Sequence, residues 1–161
     1  MSDYTVPGLS QQDTDELQAL LAERLASLLD LSLTLKHVHW NVHGEGFIAV
    51  HRMLDPQVDS VRKMVDETAE RIATLGGSPQ GTPQAIVDRR TWADYSLGKA
   101  SVRDHLEQLD KAYAGVIQDH RKAQERSATL DPVTEDMLLG HLADLELYQW
   151  FVRAHLEEPG S

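Results

Sequence analysis

From about Phe47 to about Leu75 the apolar residues Val50, Leu54, Val58, Val61, Val65, Ala69 and Ile72 recur every three or four positions. That spacing predicts an amphipathic helix. A second stripe, Leu17, Leu20, Leu21, Leu28, Leu31, Leu35 and Val38, predicts a helix from about Gln11 to about Trp40, with Ser10 or Asp13 to cap it. Residues 41–46 between them hold two glycines and read as a loop joining antiparallel helices. Gly76–Gly77, followed by Pro79, stops the second helix. Residues 78–95 carry three turn signals around the apolar piece Ala85–Val87, which predicts a connector with about one and a half turns of helix. Near-heptad spacing of Val102, Leu106, Leu109, Tyr113, Val116 and Ile117 predicts a third long helix from about Leu97 to about Ser127. A fourth starts after Asp131–Pro132, with proline at its first turn, and runs to about Glu157 before Pro159. No strand candidate, internal repeat or low-complexity stretch is evident.

Four long helices, with a connector between the second and third that must cross the bundle, predict an all-α fold. The arrangement is a ferritin-like four-helix bundle with a short extra helix in the long connection. The 161 residues suffice for one domain with a real core and are few for two. We expect a single domain over 1–161, with an N-terminal arm over 1–10 and a short tail over 158–161. There is no cysteine, so disulfides, thiol chemistry and Cys-based zinc sites are excluded. No apolar run approaches the ~18 residues of a membrane span. The N-terminus lacks the basic start and apolar stretch of a signal peptide. A cytoplasmic protein is expected.

The second helix also carries chemistry. His51, Asp55, Asp66 and Glu70 fall on one stripe of it, spread over roughly 100° at ~100° per residue. Along the axis they split into two i, i+4 pairs, His51/Asp55 and Asp66/Glu70, roughly 22 Å apart at ~1.5 Å per residue. Metal–ligand bonds are only about 2 Å, so one ion cannot bridge that gap on one helix. His39, at the end of the first helix, can approach His51 across the loop. A complete site needs a second chain, turned end for end, to bring its Asp66 and Glu70 to His39, His51 and Asp55. A two-fold axis does this and makes two equivalent sites. Imidazole and carboxylate suit iron, zinc and manganese, with iron the redox-active choice and zinc a competitor.

The plainer reading is a solvated face, in which Arg62 pairs with Asp66 at i, i+4. Lys36 or Arg62 could equally occupy Asp66. Bundles that hold a di-iron site in their own core use Glu-x-x-His on two helices. No such motif occurs here. His37, His43, His105, His120, His141 and His155 are therefore expected to be surface or packing residues, with a minor role open for His43 in the loop.

Lys36, His39, Trp40, Asn41, Gly44, Phe47, His51, Asp55, Asp66 and Glu70 resemble the signature of the Dps family, the small ferritin-like proteins of starved bacterial cells. The pattern H-W-N-V-x-G-x-x-F is specific, and the resemblance covers nearly the whole chain. It implies a ferroxidase site at a two-fold interface, with His39, His51 and Asp55 from one subunit and Asp66 and Glu70 from the other. It implies a hollow homo-dodecamer that oxidises Fe(II), preferably with hydrogen peroxide rather than dioxygen, and stores the Fe(III) product as iron mineral. Trp40, next to a ligand, is expected to donate an electron during oxidation; the alternative is core packing. Asp131, Glu135 and Asp136 gather at the start of the fourth helix. They either favour the helix N-terminus or, by resemblance at Asp136, line the channel through which iron is admitted.

Some members of that family compact DNA through a mobile tail rich in Lys and Arg. Here no Lys or Arg precedes Arg24, the C-terminal AHLEEPGS is acidic, and the net charge is −11. DNA binding depends on neutralising phosphates with cations, so none is expected at physiological salt, and nucleoid association stays open. A metal-dependent hydrolase is the remote alternative, with no substrate pocket to argue for it.

Overall fold

The computed structural model describes residues 6–157; residues 1–5 and 158–161, including part of the expected arm and all of the expected tail, lie outside it. Four long helices, α1 (Gln11–Asn41), α2 (Phe47–Thr74), α4 (Val102–Ser127) and α5 (Pro132–Leu156), form the bundle. A short helix, α3 (Pro83–Arg89), sits in the connection between α2 and α4. Two two-residue strands, β1 (Val42–His43) and β2 (Ala100–Ser101), complete the elements.

The helices begin where polar side chains take up their free N–H groups. Ser10 Oγ accepts from the Asp13 N–H at 3.1 Å. Asp131 accepts from the N–H groups of Val133 and Thr134 at 3.2 and 3.0 Å. Gly76 adopts φ 81 at the end of α2. Gly77 lies so close to α1 that a Cβ there would stand 2.8 Å from the Gln18 side chain. α1 and α2 run antiparallel. Gln18 Nε2 donates to the Leu75 carbonyl at 2.6 Å at one end of the pair. The two histidines of the candidate site meet at the other.

One boundary departs from the periodicity. The third long helix starts at Val102 instead of about Leu97, because residues 100–101 pair in parallel with residues 42–43, a ladder the apolar pattern did not predict. The Leu97 carbonyl is taken by His37 Nε2 at 2.6 Å. Ser101 then caps the helix by accepting from the Asp104 N–H. The connector is pinned to α1 by Trp92 Nε1 on Asp30 at 2.8 Å and Arg89 on Glu23 at 2.8 Å. The core forms two adjoining clusters. One is centred on Leu35, Leu54, Leu106 and Tyr113, the other on Leu17, Leu21, Ile72 and Leu138.

Candidate metal centre

Gly44 (φ 94) and Gly46 (φ 76) adopt left-handed backbone that other residues reach only with strain. Their turn folds the start of α2 against the end of α1. The His39 and His51 rings stack there, with centres 3.7 Å apart and planes at 19°. Each ring reaches the other residue's main chain. His39 Nδ1 donates to the His51 carbonyl at 2.8 Å, and His51 Nδ1 to the His39 carbonyl at 2.9 Å. A carbonyl only accepts, so both Nδ1 atoms carry protons. In the neutral rings Nε2 then carries the lone pair, the state a metal ligand needs.

Asp55 stands one turn along α2, its Oδ1 3.4 Å from His39 Nδ1 and 2.6 Å from Lys36 Nζ. The hydrogen bond from Lys36 holds its carboxyl below the usual range, against a smaller opposing effect of burial. Lys36 thus pairs with Asp55, not with Asp66. The antiparallel register decides this. Residues near the end of α1 face the start of α2, and Asp66 lies roughly 16 Å further along at ~1.5 Å per residue. Asp66 and Glu70 are exposed, and Asp66 forms no ion pair with Arg62 among the described residues. Among those residues no three His, Asp or Glu side chains converge to hold an ion. One chain thus gathers His39, His51 and Asp55 at one corner without aiming all three at a single point, and leaves Asp66 and Glu70 apart.

Trp40 is 70% exposed, with Lys36 Nζ 5.9 Å from its ring centre, so it does not pack in the core of its own chain. Phe47 leans on His51 with ring centres 5.0 Å apart, and Ile48 beside it is exposed. Trp40, Phe47 and Ile48 thus leave exposed apolar side chains around the His39–His51 pair. The acidic trio at the start of α5 divides. Asp131 is buried and bound by Arg71 Nη2 at 2.6 Å, while Glu135 accepts from Gln124 at 3.0 Å. Asp136 alone stays free of these roles, exposed in a groove between α2 and α5 with Glu67, His141 and Asp144. The motif spacing did not reveal the pairing of His141 with Glu67. A readable signal existed, since His141 lies between Leu138 and Leu145 on the apolar stripe of α5.

The ferritin-like domain family matches residues 18–159. The chain is 54% identical to the DNA protection during starvation protein of Mycolicibacterium smegmatis over 161 residues, 100% of this chain and 88% of that protein. The chain belongs to the Dps family. Among solved structures, the tetragonal form of Mycobacterium smegmatis Dps matches with a TM-score of 0.98 at 54% identity, over 100% of this chain and 98% of that one. A relative with another name, the fine tangled pili major subunit of Haemophilus ducreyi, is 47% identical over 156 residues, 97% of this chain and 82% of that protein. As in other Dps chains, the fold is the ferritin-like bundle. No helix among the described residues is long and apolar enough to cross a membrane.

Proposed function

We propose that this Dps protein is a ferroxidase that oxidises Fe(II), preferably with hydrogen peroxide, and stores the ferric product in a hollow dodecamer. The site is divided between two chains. His39, His51 and Asp55 come from one, Asp66 and Glu70 from its two-fold mate. The observation that carries the reading is the reciprocal clamp of His39 and His51, which fixes both rings through Nδ1 and leaves each Nε2 to bind metal, with Asp55 Oδ1 3.4 Å from His39 Nδ1 at the same corner. Membership of a ferritin-like family supports iron as the substrate. The exposed rim of Trp40, Phe47 and Ile48 supports a second chain covering this corner.

The chemistry follows from the donors. Neutral imidazoles bind Fe(II), and carboxylates stabilise the trivalent product more than the divalent substrate, which draws oxidation forward. Asp55 and Glu70 anchor the ion. Asp66 positions a second iron, directly or through water. Trp40 supplies an electron to a one-electron oxidant. Asp136 contributes to an acidic funnel that draws Fe(II) inward. The protein protects DNA by removing Fe(II) and peroxide, not by contact, since a −11 chain repels the duplex.

Complementation tests the divided site. His51→Ala and Asp66→Ala variants should each lose most peroxide consumption per Fe(II). Random co-assembly of the two should restore about a quarter of the sites, because a two-fold interface pairs one chain's intact half with the other's. Unchanged oxidation in both variants, or no recovery on mixing, removes the assignment. Iron loading should leave a particle of twelve 18.0 kDa chains carrying many irons per chain.

A further inference from the structure

Two histidines in the second half of the bundle have no part in the site above. His120 on α4 and His141 on α5 are 0% and 3% exposed, and their ring centres stand 5.9 Å apart at 48°. His141 Nε2 lies 2.8 Å from Glu67 Oε2. A carboxylate only accepts, so Nε2 holds the proton and Nδ1 of the neutral ring holds a lone pair. That Nδ1 has no partner, and neither nitrogen of His120 has one in hydrogen-bond geometry. The Val116 carbonyl one turn back only weakly offsets the effect of burial on His120. Burial holds His120 down to about 3 and His141 below its ordinary value, so both rings are neutral at neutral pH. Buried acceptors without partners are strongly disfavoured unless something is seated there.

We propose that His120 and His141 form a buried two-nitrogen seat for copper(I), reached through the acidic groove between α2 and α5. At about 2 Å per metal–nitrogen bond, two imidazoles nearly in line on one ion hold their ring centres roughly 6 Å apart, close to the 5.9 Å here. The Glu67–His141 hydrogen bond is the outer-shell contact that orients a ligating histidine and raises its basicity. The ligand count selects the ion. No third His, Cys, Asp or Glu converges among the described residues, so tetrahedral zinc lacks its ligands, whereas copper(I) accepts two. The charges are mixed. Arg24 beside His120 has Asp119 only at 4.0 Å and its Nη1 without a partner, whereas around His141 the carboxylates of Glu67 and Asp144 outnumber Lys63, which pairs with Glu67 at 3.6 Å. The groove, about 330 Å³, is also lined by the half-buried Met137, with the buried Met64 behind it, and thioethers suit copper(I).

The test is an anaerobic titration of the full protein with copper(I) against a coloured copper(I) chelator. Wild type should take one tight ion per chain. His120→Leu and His141→Leu should each bind it at least ~100-fold more weakly, and Glu67→Gln about 10–100-fold more weakly. His51→Ala should leave copper(I) binding unchanged, which separates this seat from the iron site. X-ray absorption should show two nitrogen neighbours. Unaltered uptake in either leucine variant overturns the proposal, as does zinc(II) held at these histidines as tightly as copper(I). Leucine fills an apolar surrounding and should assemble; if it does not, Glu67→Gln decides, and undiminished binding there is equally fatal.

Discussion

Stacking alone would not suit His39 and His51 to hold a metal; the proton position does. Each Nδ1 is committed to the other residue's carbonyl, so removing one ring releases the other. His39→Ala should therefore cost more Fe(II) affinity than one ligand, at least the 10–100-fold typical of a lost orienting contact on top of the lost bond. Anaerobic Fe(II) titration of H39A against H51A measures it, and independent, additive losses would refute the coupling. Asp131 shows a second residue-scale effect. Burial disfavours its carboxylate, but bonds from Thr134 and Arg71 outweigh this and lower its pKa. A carboxyl with a depressed folded-state pKa adds stability above about pH 4, lost as pH falls through the folded value. Asp131→Asn should flatten the acid limb of a stability–pH curve below pH ~4, where wild type declines. At neutral pH it should cost about 3 kcal/mol, because the Arg71 charge is left buried without its counter-charge.

Among the elements, two glycines act for different reasons. Gly46 has φ 76 and nothing within 4 Å of where a Cβ would stand, so Gly46→Ala costs backbone strain alone, about 1 kcal/mol. Gly77 has no such φ but would thrust a Cβ to 2.8 Å from Gln18 and 2.9 Å from Ile72. Gly77→Ala should break the Gln18–Leu75 bond and lower the thermal midpoint more than Gly46→Ala does. Gly46→Ala should in turn disturb Fe(II) binding more, because its turn sets His51. Equal effects of the two on iron binding would argue against a turn-built site. The helices themselves were readable, since their apolar periodicity reports burial directly. The Ala100–Ser101 ladder was not, because a two-residue pairing between distant segments leaves no period.

At the scale of the whole molecule, the proposed function rests on charge and on the proposed assembly. A gel shift at physiological salt should show no retarded DNA, and a firm shift would show that −11 does not exclude binding. A variant forced to remain monomeric, by charged substitution of the exposed Ile48, should lose most Fe(II) affinity while keeping its helicity; undiminished affinity would end the shared-site reading. The sequence by itself determined the helices, their antiparallel hairpin and the splitting of the candidate stripe into His51/Asp55 and Asp66/Glu70. Those follow from residue periods and a fixed rise per residue, which are local. Only the tertiary structure decided that Lys36 holds Asp55, which ring nitrogens stay free, and that His120 and His141 meet without partners. Each depends on register and rotation between helices, set by packing over tens of residues and not by spacing along one.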